Sequence, residues 1–210
     1  NVRAIEAISR ESGVDEPRKG IFRDTILGLT FNTFGIERYL TTKEERRVRD
    51  VASNAPYDVL YLMANTNRYG GGGIFRLWSV FASDSDYDDY VFIHEFGHAF
   101  AGLGDEYFSS TVAYSDFYPK GVEPWEPNIT ALLGRPRLKW KQFVEKGVPL
   151  PTPPDPSRFA GKVGAFEGAG YAKKGLYRPS LDCKMFSKGR RNFCPVCEDA
   201  IQRMVSIYAE

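Results

Sequence analysis

The sequence predicts a single α/β domain, of α+β type, and three observations predict it. In the N-terminal half, short apolar runs of strand type alternate with stretches of helical periodicity. The most regular of those helices ends in a Gly-x-Gly stop at Gly102 and Gly104. The second half is rich in proline and closes on one further amphipathic helix. At 210 residues, the chain is long enough for one sizeable core and short of what two full domains usually need. We therefore divide the domain 1–210 into a sheet-and-helix half, 1–107, and a loop-rich half, 108–210.

In chain order, residues 1–9 are a candidate strand. Residues 43–53 carry charge at most positions, with Val48, Val51 and Ala52 on one side, as a surface helix does. DVLYLMA (58–64) is a short apolar run of the buried-strand kind. RYGGGG (68–73) interrupts it, and LWSVFA (77–82) resumes in strand-forming residues. The acidic stretch DSDYDD (84–89) precedes a helix predicted over 90–101. Acidic groups suit the positive end of a helix dipole, and Asp86 is the expected N-cap. A calcium loop is the weaker reading of Asp84, Asp86, Asp88 and Asp89, because the glycine and terminal glutamate of an EF-hand are missing. Ten of the thirteen prolines lie from Pro119 to Pro179, so this stretch is expected to be mostly irregular and packed by Trp125, Trp140 and Phe166. A short helix is expected around 139–145. A last helix follows Pro195, with Val196, Ala200, Ile201, Met204, Val205 and Tyr208 on its apolar face.

Composition narrows the function classes. With 28 Lys and Arg against 27 Asp and Glu, the net charge is +1, which gives no electrostatic reason to expect nucleic acid or an anionic membrane as partner. No apolar run approaches the length of a membrane span, so no membrane insertion is expected. The chain begins at Asn1 without a signal-peptide pattern, as a trimmed piece of a longer precursor would. Its three cysteines, Cys183, Cys194 and Cys197, allow one disulfide with a thiol left over, or a fully reduced set.

The chemistry concentrates in HEFGHAFAGLGDEY (94–107). His94 and His98 are the only two histidines, and they stand four apart, so a helix projects both imidazoles from one face, one turn apart. Two neutral imidazoles so placed can bind one zinc ion. Glu95, beside them, is positioned to act on the metal's water as general base. A catalytic zinc needs a third protein ligand, and the histidines are exhausted. Gly102 and Gly104 let the chain turn back after the helix, bringing Asp105 and Glu106 within reach; Asp105 is the favoured ligand and Glu106 the alternative.

These residues resemble the metzincin metallopeptidases, whose signature H-E-x-x-H-x-x-G-x-x-H/D is followed by a methionine-containing turn. Here Gly102 and Asp105 each come one position late. Within that group the chain resembles the M64 family, named for an immunoglobulin A peptidase. The resemblance rests on the 94–107 segment and on YGGGGI (69–74), EPNIT (126–130), FEGAGY (166–171), LYRP (176–179) and the closing Cys-x-Met with FCPVC (183–197). It implies a metzincin-like catalytic domain: a twisted mixed sheet, a zinc helix, and a loop-rich C-terminal part in which Met185 forms the Met-turn. The implied activity is that of a zinc-dependent endopeptidase with one catalytic ion, acting as a monomer on polypeptide substrates. Export follows by the same resemblance, to the periplasm, the cell surface or the medium of a bacterium. Tyr171 and Tyr177, in segments similar to the family's, are candidate donors to the oxyanion of the tetrahedral intermediate. Gly70, Gly71, Gly72 and Gly73 are a candidate substrate edge, where an extended peptide adds as a strand, or else a flexible hairpin loop. A disulfide from Cys183 to Cys194 or Cys197 would anchor the Met-turn to the last helix. A second zinc site on the three cysteines lacks a fourth ligand and is the weaker reading. An exopeptidase, a cell-wall amidase or a catalytically silent binding module on the same scaffold are the alternatives to the endopeptidase.

Overall fold

The computed structural model describes residues 1–109, 117–189 and 192–209. The chain forms two compact units, Asn1–Ala99 and Phe100–Glu210, each with its own small sheet and its own core.

In the first unit, helix α1 (Glu45–Ala52) precedes strands β1 (Tyr61–Ala64), β2 (Gly71–Ile74) and β3 (Trp78–Ala82), and α2 begins at Asp88. The three strands form one mixed sheet in the order β1-β3-β2: β1 runs parallel to β3, and β2 antiparallel to it. β1 shows the alternation a one-sided strand requires, with Leu62 and Ala64 buried and Met63 exposed. The central β3 is buried at Trp78, Ser79, Val80 and Ala82. Behind it lies a core of Val14, Leu29, Phe31, Leu40, Val48, Leu62 and Trp78. α1 contributes Val48 and Ala52, four apart and both buried. Its charged positions face water, where ion pairs such as Arg49–Glu45 add little.

Several expectations shift here. Residues 1–9 form no strand. The glycine run, expected to be a break, is itself strand β2. α2 spans Asp88–Ala101, two residues earlier than expected at its start. Its first turn is tied by the Val91 amide, which donates to the carbonyl of Tyr87, so Tyr87, and not Asp86, directly precedes the helix. At the other end Gly102 takes a left-handed φ of 62°, the helix stop its sequence predicts.

The second unit contains a 3-10 turn (Lys141–Phe143), the one-turn helix α3 (Pro156–Phe159), the antiparallel pair β4 (Phe166–Ala169) and β5 (Ala172–Arg178), and the long helix α4 (Pro195–Ala209). Its core gathers Leu138, Trp140, Phe159, Ala165, Phe166, Met185, Val196, Ala200 and the three cysteines. Trp140 and Phe166 are buried as expected, whereas Trp125 is 64% exposed. α4 buries Val196, Cys197 and Ala200 in its first half, while Val205 and Tyr208 are 51% and 43% exposed. The β4–β5 hairpin lies inside the stretch expected to be irregular. Its two-residue connection, Gly170 and Tyr171, has φ of 54° and 65°, the doubly left-handed backbone of a type I′ turn.

Candidate metal centre

Within the first unit, α2 places His94 and His98 on one face, and their Nε2 atoms approach to 3.2 Å. At Zn–N distances of about 2.0–2.1 Å, two ligands at a tetrahedral angle stand about 3.3 Å apart. The pair is therefore spaced as two ligands of one ion would be. His94 is buried, and its other ring nitrogen, Nδ1, lies 3.1 Å from the Tyr90 hydroxyl. Tyr90 is four residues before His94 on the same helix face. It fixes which His94 nitrogen is turned towards His98, as outer partners of metal-binding imidazoles do.

Glu95 points from α2 onto strand β2. A Cβ added to Gly71 would lie 3.0 Å from Glu95 Oε1, and one added to Gly73 would lie 3.2 Å from Oε2 and 2.7 Å from the His98 Cβ. The glycines thus let the histidine-bearing helix and the Glu95 carboxylate lie directly on the strand. The strand's outer edge is not open along its length. Leu40 donates its amide to Gly71 O at 3.0 Å, and Tyr39 bridges Gly71 in parallel. The role of Gly70, Gly71, Gly72 and Gly73 visible here is close packing: Gly70 against Phe31, and Gly72 against the Leu40 carbonyl. Ser79, on β3, donates its hydroxyl to the Glu95 carbonyl at 3.1 Å. On the flank of α2, Tyr61 stacks on Phe92 at 4.2 Å between ring centres and donates to its carbonyl, which holds the helix to the sheet.

In the second unit, Asp105 and Glu106 are both buried but face different partners. Asp105 accepts a short hydrogen bond from the Tyr171 hydroxyl. Burial, reinforced by the Asp105 charge, pushes that phenol far above its ordinary pKa, so it remains a donor at neutral pH. The hairpin turn is laced to the same segment, Gly170 N to Asp105 O at 2.8 Å and Tyr171 N to Tyr107 O at 2.9 Å. In this structure the Tyr171 hydroxyl is directed at Asp105. The Tyr177 backbone pairs with Thr130 in both directions, and its phenol interacts with Glu167, its cross-strand neighbour.

Glu106 turns into the core. Its Oε1 accepts from Asn128 Nδ2 at 3.0 Å and from the Cys197 thiol at 3.3 Å, and burial raises its pKa well above the carboxylate range. Asn128 also clamps Gly104, accepting from its amide at 2.8 Å and donating to its carbonyl at 2.9 Å. The sequence offered Asn128 only as one letter of EPNIT, with nothing to show which backbone it would hold. Tyr90, by contrast, could have been found from its spacing to His94. Met185 is fully buried, and its carbonyl accepts the Glu106 amide at 2.9 Å. The expected disulfide is not formed: Cys183, Cys194 and Cys197 are all thiols. The Cys183 and Cys197 sulfurs stand 3.8 Å apart, against about 2.05 Å for a disulfide bond.

A family model described as IgA Peptidase M64 matches the chain over residues 1–160 and again over 154–205. No curated protein matches it.

Proposed function

The chain belongs to the IgA peptidase M64 family, and from that premise we propose that it is a zinc-dependent endopeptidase acting on extracellular polypeptides. The observation that carries this reading is the 3.2 Å approach of His94 and His98 Nε2 on one helix face, with Glu95 next in sequence. We assign His94, His98 and Asp105 as the zinc ligands. Asp105 follows the Gly102 helix stop, carries a buried carboxylate, and is oriented by Tyr171. Glu106 is engaged by Asn128 and Cys197 instead, which favours Asp105 over it. Met185, whose carbonyl accepts the Glu106 amide, is assigned as the Met-turn residue.

When bound, the zinc supplies Lewis acidity towards the scissile carbonyl and lowers the pKa of water. The protein's own groups do the rest. Glu95 takes a proton from the attacking water and returns it to the departing amine. For His94 to bind through Nε2, its proton must sit on Nδ1, which then donates to the Tyr90 oxygen. The partners are polypeptides alone, and the protein works as a monomer outside the cytoplasm. Among the described residues, no helix is long and apolar enough to cross a membrane.

The decisive experiment is Glu95→Gln. The variant should keep its metal, because every ligand remains, and should lose peptide hydrolysis by at least a hundredfold or so. Retained turnover on a peptide library, or failure of the unmodified protein to take up zinc, overturns the assignment.

A further inference from the structure

The three cysteines and Glu106 form a second constellation, entirely within the second unit. Their ligand atoms all lie within 4.8 Å of one another, and all four residues are buried. Their spacings follow a metal's coordination shell. With Zn–S of about 2.3 Å, two sulfurs of a tetrahedral site stand about 3.8 Å apart, and a sulfur and a carboxylate oxygen about 3.5 Å. The structure has Cys183 Sγ to Cys197 Sγ at 3.8 Å and Cys197 Sγ to Glu106 Oε1 at 3.3 Å. The fourth ligand that the cysteines lack in sequence is supplied by a residue 77 positions before Cys183 (183 − 106).

A second observation points the same way. Glu106 Oε2 is buried and has no hydrogen-bond partner among the described residues. Such an atom is costly in a core unless a proton, a water or a cation meets it, and a cation at the cysteines would do so. The positive side chain that acts on Glu106 is Arg178, but its Nη1 donates to the carbonyls of Glu167 and Gly168, and its guanidinium lies over the Phe186 ring at 4.1 Å. It can temper the field of an anionic cluster without pairing with it. Two backbone features would suit sulfur held by a cation. Cys197 lies in the first turn of α4, where the helix dipole favours anions. The Cys194 amide donates to Cys183 Sγ at 3.2 Å.

We propose that Cys183, Cys194, Cys197 and Glu106 bind a second, structural divalent zinc ion, distinct from the one on α2. Soft thiolates select zinc among the common divalent metals, and four protein ligands leave no open position for chemistry. The ion would tie three remote pieces of the unit together: the Asp105–Glu106 segment, the loop carrying Met185, and the start of α4. It would thereby hold the backbone from which Asp105 projects. The proposal does not depend on the assignment of the α2 site.

The test is metal content of the full chain, purified without added metal or chelator, together with its His94→Ala/His98→Ala variant. The wild type should carry two zinc ions per chain and the double variant one. After exchange with cobalt, both should show sulfur-to-cobalt charge-transfer absorption, which the α2 site cannot give because it has no sulfur. Should the double variant fail to fold, that absorption in cobalt-exchanged wild type remains diagnostic. Glu106→Gln should release the remaining zinc to a chromogenic chelator at least tenfold more readily. Cobalt-exchanged wild type without the sulfur band overturns the proposal. So does denatured, non-reduced protein in which a single thiol reacts with alkylating agent, since two cysteines would then be paired in a disulfide.

Discussion

Tyr171 occupies a backbone position that favours glycine or asparagine. Its φ of 65° costs a residue with a Cβ roughly 1–2 kcal/mol, and the turn it helps to form would tolerate a smaller residue. What the tyrosine contributes is its hydroxyl on the Asp105 carboxylate. Tyr171→Phe keeps the ring packing against Tyr107, 5.3 Å between ring centres, and removes the hydroxyl with its bonds to Asp105 and Tyr107. We expect zinc affinity at the α2 site to fall about 10–100-fold, with little change in folding stability, as read by competition with a chelator and by denaturant titration. Unchanged affinity would make Tyr171 a packing residue only. The two adjacent carboxylates separate in the same assay. Asp105→Ala should cost the α2 site more than about tenfold in zinc affinity and abolish turnover. Glu106→Ala should instead release the other ion. The opposite pattern would exchange their roles.

At the scale of elements, what the sequence revealed and what it hid follow one physical rule. Periodicities that belong to a single element were legible: α2, α4, β1 and β3 lie close to where their apolar spacing puts them, and His94, Glu95 and His98 are read directly from helical geometry. Features that depend on contact with a second element were not. Poly-glycine has no intrinsic preference for a strand, yet β2 forms there because the helix behind it needs the space. The β4–β5 hairpin was hidden by the prolines counted around it, and its strands, FEGA and AKKGLYR, do not alternate cleanly enough to stand out. The Cys-rich cluster was illegible because its fourth member is far away in sequence. The glycine strand yields a prediction at its own scale. Gly73→Ala would press a methyl group onto the Glu95 carbonyl and the His98 Cβ. Both belong to a helix that cannot yield without moving the histidines. Overpacking of this kind costs about 1–3 kcal/mol, and here we expect it to reduce zinc affinity and turnover as well. Gly134→Ala, whose added Cβ meets only Arg137 at 3.6 Å, is the control. Equal behaviour of the two variants in denaturation and peptide hydrolysis would remove the close-packing role assigned to β2.

For the whole molecule, the two proposed ions should differ in what their loss does. The α2 site takes its ligands from one helix and the loop that follows it, and its ion would keep an open coordination position, so a chelator can attack it while the protein stays folded. The cysteine site is closed and buried, and its ligands come from three separate stretches of the second unit, so its ion leaves only when that unit opens. A ligand that binds the folded form alone stabilises it in proportion to the logarithm of its concentration over Kd, and a structural zinc contributes its binding free energy to folding directly. Titrating the full chain with chelator should therefore give two events. Peptide hydrolysis should vanish first, with one zinc released and the far-ultraviolet circular dichroism unchanged. The second zinc should appear only at higher chelator concentration or on heating, together with loss of helical signal from α4 and a lowered melting temperature. Added zinc should restore activity after the first event at once, and after the second only if the thiols have been kept reduced. Release of both ions in a single step without loss of structure would place the cysteine-bound ion on the surface of the fold rather than within it, and would remove its structural role.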